Sequence, residues 1–351
     1  ARYNKSLSPR RLMRRLAEGR PVATTEAVWD CLTCMQCDQR CPQEVPISPS
    51  VPPLRRLSRE RGDKPASTRC SAIDAVAALQ SQADLPQQRL DWLEGQDLKT
   101  DPDSKVLLWT GCTPYFDVFF SANGVETLEA VKGAIGILNA LDIAPAVRGD
   151  ERCCGHDQLW SGDDATFEKL AASNVKMFEQ ADPELVVTVC PECQLTLINE
   201  YQRRFGQPAC RIVHVAELVA ERAGELKLNT IDTTVTFEDP CRLGRHQGKY
   251  DEPRAALQAV PGIELRELPR HKSGATCCAG NWLACTQASK RIQTDLLKAA
   301  AATGSDTLVT ACPKCMIHLK CAQHGDDASV PGIEIRDLAA VVAVALTNGS
   351  A

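Results

Sequence analysis

The feature that most constrains this chain is a set of five cysteines written out twice. The first copy is Cys112, Cys153, Cys154, Cys190 and Cys193, and the second is Cys241, Cys277, Cys278, Cys312 and Cys315. The intervening lengths are 40 and 35 residues in the first copy and 35 and 33 in the second. Each copy holds one adjacent pair and closes on Cys-Pro-x-Cys. Two unrelated scatters of cysteine would not agree in order, spacing and closing motif, so the chain carries an internal duplication. The flanks repeat as well: VHVAELVAE after the first set answers IEIRDLAAVV after the second, with a boundary near 224–230.

Between the cysteines, short apolar runs alternate with amphipathic stretches. The runs at 106–110, 185–189 and 211–215 read as strands of the first copy, with a further short strand ahead of Cys153. Those at 233–237, 263–268, 308–310 and 333–335 read as strands of the second, and the stretches at 125–141, 165–179, 255–259 and 287–303 read as helices. Alternating strands and helices predict a parallel sheet with right-handed crossovers, so all strands end on one edge. Every cysteine of a set follows a strand, and each set converges there, where open α/β sheets place ligands. Five thiolates on one edge would repel one another unless iron or zinc held them. Dithiol sites built on the two Cys-Pro-x-Cys motifs alone would leave six cysteines unexplained.

A second cysteine signal lies upstream. Cys31-Leu-Thr-Cys34-Met-Gln-Cys37-Asp-Gln-Arg-Cys41-Pro42 is the CxxCxxCxxxCP run of bacterial-type ferredoxins, whose closely spaced thiolates wrap one cubane cluster. A zinc knuckle would pair two separated CxxC units, which this run lacks. In two-cluster ferredoxins the fourth cysteine serves the other cluster. Either Cys41 completes one cubane here, or a companion run belongs upstream of Ala1. Ser8 and Pro9 predict a helix start and Gly19 its stop, with Arg10, Arg11, Arg14 and Arg15 as a solvated or partner-facing surface. The segment at 66–104 reads as a helical linker, with patches at 73–80 and 87–94 and another just before it at 53–61.

Composition narrows the compartment and the partners. Of 18 cysteines in 351 residues, 14 fall in the three sets, which favours a reducing, cytoplasmic setting and metal ligation over disulfides. Cys70 reads as an ordinary thiol, and Cys210, Cys285 and Cys321 as buried cysteines acting as small hydrophobes. The formal charge is −5 and the basic residues are dispersed, which gives nucleic acid no support. The longest apolar runs fall far short of the roughly 18 residues that span a bilayer, so no transmembrane segment is expected.

DPCRLGRHQGKYDEPR, TCCAGNW and TLVTACPKC, with the ten repeated cysteines, resemble the CCG domains of heterodisulfide reductase. The likeness is to its D-type subunit, and SPRRLMRRLAEG with VWDCLTCMQCDQRCPQEVPI is similar to the second half of that subunit's ferredoxin-like portion. The resemblance implies an α/β chain in which a mostly helical ferredoxin-like segment precedes two duplicated Rossmann-like parallel-sheet CCG domains. The divisions expected are 1–65, a linker at 66–104, and CCG domains at 105–226 and 227–351. It implies two noncubane [4Fe-4S] clusters, one on each five-cysteine set, and a [4Fe-4S] cubane on Cys31, Cys34, Cys37 and Cys41, joined by a second cubane if the upstream run exists. Two departures stand out: Ala279-Gly280 follows the second pair where the family has Gly directly, and Gly155-His156-Asp157 follows the first.

The activity so implied is reversible two-electron cleavage of a disulfide to two thiols between the two clusters. His156 and His246 are the candidate proton donors. Lys272, Arg242 and Arg245 could hold an anionic thiol substrate. The alternative is an electron-transfer subunit of a quinone-linked or 2-hydroxyacid-oxidising complex without disulfide chemistry; a zinc scaffold is the third reading. Without a flavin or nicotinamide fingerprint, electrons are expected from a partner protein, a flavoprotein subunit or a membrane cytochrome, which could hold the chain at the inner membrane.

Overall fold

The computed structural model describes residues 8–22, 26–63, 67–280, 282–283, 285–325 and 327–346, and the side chains of Glu26, Arg69 and Cys70 lie outside the described residues. The fold is α/β, built on two parallel sheets. In the first, β1 (Val106–Trp109), β2 (Leu185–Thr188) and β3 (Arg211–His214) lie in the order β1-β2-β3. In the second, β4 (Thr233–Glu238), β5 (Ile263–Arg266), β6 (Thr307–Thr310) and β7 (Glu334–Asp337) lie in the order β5-β4-β6-β7.

The strand expected ahead of Cys153 is reduced to one bridge, Leu107 with Ala146, beside β1 where β5 stands beside β4. With that bridge counted, the two sheets share one topology. The inner strands are buried on both faces, as in β6, where all four residues are buried, while the edge strand β5 has none buried.

The halves join through exchanged helices. Thr127–Ala140 of the first packs on Leu338–Val344 of the second, and Val215–Arg222 of the first packs on Asp251–Gln258 of the second. Each pair sets a helix that follows a half's first strand against one that follows the other half's last strand. One apolar core, with Leu108, Val187 and Ile135 from the first half and Phe237, Val309 and Val342 from the second, runs through both. A Cβ added at Gly133 would stand 2.6 Å from the carbonyl oxygen of Ala339, so glycine sets how closely those two helix backbones approach.

The N-terminal segment is mostly helical, with Pro9–Ala17, Glu26–Asp30, Gln36–Gln39 and Ile47–Glu60. Ser8 caps the first helix by accepting from the Arg11 N–H. The stretch at 73–80 is a helix, Ala72–Gln80. At 87–94 only the turn Asp91–Leu93 forms, because Arg89 is directed into the protein (3% exposed) instead of along a helix face. Among the described residues no helix is long and apolar enough to cross a membrane.

Candidate metal centre

The same local devices place both five-cysteine sets. Cys112 ends the turn after β1, and Cys190 and Cys312 occupy the N-cap positions of Pro191–Thr196 and Pro313–Gln323, with proline fixed at the first helical position. Gly155, after the first pair, adopts φ 80°, and a Cβ there would meet Phe167 at 2.6 Å. Ala279 occupies the matching place at φ 55°, so the left-handed turn persists in the second copy although the glycine does not. The turns aim N–H groups at sulfur: Gly155 N–H donates to Cys153 Sγ at 3.4 Å, and Gly280 N–H bonds Cys278.

In each half the five sulfurs form one contact chain in the same order. It runs Cys112, Cys153, Cys154, Cys193, Cys190 in the first and Cys241, Cys277, Cys278, Cys315, Cys312 in the second. Cys154 and Cys193 sulfurs are 3.4 Å apart, and Cys278 and Cys315 sulfurs 2.9 Å. Burial raises the Cys315 thiol well above its ordinary value, so a cation is needed to keep such sulfurs as thiolates. Buried, all-thiol donor sets in mutual contact are the chemistry that iron–sulfur clusters require.

The ferredoxin-type loop lies against the second set. Left-handed Thr33 (φ 49°) and Met35 (φ 58°) curl it, and the Thr33 N–H donates to Cys31 Sγ at 3.4 Å. Burial pushes the Cys31 thiol up to about 11, with Cys34 and Cys37 close enough to add to the effect. Cys34 bonds Cys277 directly, and that contact, with Arg245 nearby, overcomes burial and draws the Cys34 thiol down to about 6. Cys41 is half-buried just past the Gln36–Gln39 turn.

Arginines fasten this arrangement. Arg242 donates from Nη1 to the Thr33 carbonyl (2.8 Å), from Nη2 to Thr33 Oγ1 (2.7 Å) and from Nε to His156 Nε2 (3.1 Å), and its guanidinium stands 4.0 Å over the Trp160 ring. Arg245 donates to the carbonyls of Cys34 (2.6 Å) and Ala275 (2.8 Å). Both are candidates for anion binding; both hold the cysteine loop, and Arg242 also lines the cavity beside the second set. Lys272 is an exposed partner of Asp251. Buried Arg55 donates to the carbonyls of Cys31 and Trp160, tying the loop to the first half. Arg89, from the linker, donates to the Gly111 carbonyl and pairs with Glu151 at 2.8 Å, and Glu151 accepts from the Gly111 N–H.

His156 and His246 are both buried and engaged. His156 accepts from Arg242 at Nε2 and therefore donates from Nδ1 to Thr196 Oγ1 at 2.9 Å; burial, then Arg242, hold it well below the usual histidine value. His246 donates from Nε2 to the Thr33 carbonyl at 2.9 Å, and burial with Arg242 brings it to about 3. Both are neutral at pH 7.

Between the sets, Lys314 Nζ pairs with Glu192 Oε2 at 2.7 Å and with Asp157, which also accepts from Trp282 Nε1 at 2.9 Å. Burial opposes the ammonium, but the two carboxylates win and hold Lys314 above the ordinary lysine value. Glu238, at the end of β4, has a carboxylate oxygen grouped with Cys278 and Cys315 sulfurs, all within 4.8 Å of one another. Sequence reasoning missed Arg55, Arg89, Asp157, Glu192, Glu238 and Lys314. One signal was available: the variable residues of the two Cys-Pro-x-Cys motifs, Glu192 and Lys314, carry opposite charge. A cavity of about 50 Å³ is lined by Cys241, Cys277, Cys278, Cys312 and Cys315 and, from the first half, by His156, Asp157 and Glu192. A smaller one touches Cys112 and Cys153 and shares Asp157.

A paired-sheet chain with two such cysteine edges is a tandem cysteine-rich protein, and the CCG cysteine-rich domain model matches residues 106–198 and 235–320. The chain belongs to the CCG family and resembles the D-type subunit of heterodisulfide reductase, among iron–sulfur electron-transfer oxidoreductases. It is 32% identical over 348 residues to a "Probable membrane-anchored ferredoxin" of Chromohalobacter salexigens, covering 94% of this chain and 50% of that protein. It is 30% identical over 274 residues to the D-type subunit of the dihydromethanophenazine:CoB–CoM heterodisulfide reductase of Methanosarcina mazei, covering 74% and 63%. Against the EtfAB:quinone oxidoreductase of Syntrophomonas wolfei the figures are 26% over 318 residues, 84% and 43%. The chain thus spans about half the length of these curated relatives.

Proposed function

We propose that this chain is the iron–sulfur subunit of a heterodisulfide-reductase-like complex that passes electrons to and from a disulfide. The reaction is RSSR′ + 2 e⁻ + 2 H⁺ ⇌ RSH + R′SH. The observation that carries the reading is the meeting of both five-cysteine edges and the ferredoxin-type loop in one place, with Cys34 on Cys277 and Glu192 of the first half on Lys314 of the second. Cys31, Cys34, Cys37 and Cys41 would hold a cubane, and the two five-cysteine sets would each hold a noncubane cluster. Bound clusters supply one-electron redox steps and iron that thiolates can ligate.

The protein's own groups do the rest. Arg242, Arg245 and Arg55 hold the loop's carbonyls and fix its distance from the second set. Lys314 lines the cavity with its ammonium shared between Glu192 and Asp157, which fixes the two halves against each other there. His156, with Nε2 accepting from Arg242 and Nδ1 donating to Thr196, orients Arg242 and carries no extra proton at neutrality. Electrons come from a partner, a flavoprotein or a membrane cytochrome, and the chain works in the cytoplasm or against the inner membrane through that partner. A second reading, electron relay without disulfide chemistry, is favoured by the relatives named as a ferredoxin and a quinone oxidoreductase.

Turnover of small-molecule disulfides with a reduced viologen, comparing the parent protein with Cys278→Ala, separates the two. Disulfide turnover in the parent that disappears in Cys278→Ala, with the cubane signal kept, supports cleavage. Equal turnover in both would refute the two-centre mechanism, and none in the parent favours relay.

A further inference from the structure

We propose that Glu238 is an oxygen ligand to iron in the second five-cysteine set, so that the two sets are chemically unlike. The inference rests on the reading that each set holds a cluster. Glu238 is 1% exposed at the end of β4. One of its oxygens, Oε2, accepts from Thr310 Oγ1 at 2.8 Å, while Oε1 is buried without a hydrogen-bond partner. A buried carboxylate oxygen left unpaired is costly, and neighbouring thiolates make it costlier. The sulfurs of Cys278 and Cys315, with a Glu238 oxygen, form a three-donor group within 4.8 Å. A cation held there satisfies all three donors at once.

The first half cannot do the same. Trp109 stands opposite Thr188 in β2 as Glu238 stands opposite Thr310 in β6, so the two occupy one position of the repeat. An indole nitrogen donates and cannot ligate. Trp109 Nε1 is buried without a hydrogen-bond partner. It and Cys193 Sγ flank Gly111, 3.5 and 2.9 Å from where a Cβ would lie. The second set thus gains an anionic donor to metal that the first lacks. Net charge at the cluster is one of the factors that set its potential. That difference makes the second set, which touches Cys34, the more reducing of the two.

The test is Mössbauer spectroscopy of the full chain loaded with Mössbauer-active iron, for the parent, Glu238→Ala and Glu238→Cys, with iron counted in each. The parent should show one iron site with the larger isomer shift of oxygen ligation. Glu238→Ala should lose it, and Glu238→Cys should keep the parent's iron while converting that site to an all-sulfur signal. A parent spectrum without an oxygen-ligated site, or one unchanged in Glu238→Ala at equal iron, overturns the proposal and leaves the cluster reading intact. A parent chain with only about four irons overturns both. The parent spectrum decides even if the variants fold poorly.

Discussion

Lys314 Nζ lies 2.7 Å from Glu192 Oε2, which joins the variable residue of one Cys-Pro-x-Cys motif to that of the other across the two halves. Lys314 is buried and the Glu192 side chain is only 12% exposed, with Asp157 completing the group, so removing the cation leaves two carboxylates facing each other. Lys314→Met should cost about 3–5 kcal/mol, as for a broken buried pair. Adding Glu192→Gln should return part of that loss. Anaerobic denaturant unfolding of the single and double variants reads it; additive effects would mean the pair is not coupled.

Arg242 hydrogen-bonds both Thr33 and His156, and its guanidinium lies beside His246. Arg242→Ala should keep all cysteines and their iron but loosen the loop, so electrons reach the second set more slowly while the cubane reduces as before. Stopped-flow reduction by dithionite, followed at wavelengths that separate the clusters, checks this. Unchanged transfer would show that the loop is held without Arg242.

Gly133 lets two helices of opposite halves touch backbone to backbone. Gly133→Val should lower stability by about 1–3 kcal/mol through overpacking. Thermal unfolding reads the effect, and a melting temperature equal to the parent's would place the halves' contact elsewhere.

Asp337 caps the last helix by accepting from the Ala339 N–H at 2.8 Å, and burial raises its carboxyl to about 7. The folded form therefore binds this proton more tightly than the unfolded chain, whose aspartates titrate near about 3.9. Its contribution is full below that pH and is lost as pH rises through about 7. Asp337→Asn keeps the cap and removes the titration. The parent's melting temperature should fall relative to the variant's between those values, giving the variant an advantage at pH 8 on the order of a few kcal/mol. Parallel curves would exclude the group as a source of pH dependence.

The spacing of cysteines revealed the duplication and the edge on which each set gathers, because every cysteine follows a strand or opens a helix and no distant contact is needed to see it. The strand ahead of Cys153 was overread: it forms one bridge, Leu107 with Ala146. The helix at 87–94 failed for a tertiary reason: Arg89 is withdrawn to bind the Gly111 carbonyl and Glu151. Arg242 and Arg245 read as substrate anchors because nothing local shows that Thr33 and Cys34, some 209 and 211 positions away in sequence, will lie against them. Glu238 carried no local signal; its meaning depends on β6 bringing Thr310 beside it and on the Cys278 and Cys315 loops.

The central claim is that all three cysteine sets hold iron. Iron, acid-labile sulfide and zinc per chain, counted on anaerobically purified protein, test it directly. The account predicts about twelve irons with matching sulfide, three four-iron clusters, and negligible zinc. About four irons, or zinc in place of the rest, would contradict it, because the two repeated sets would then not be cluster sites.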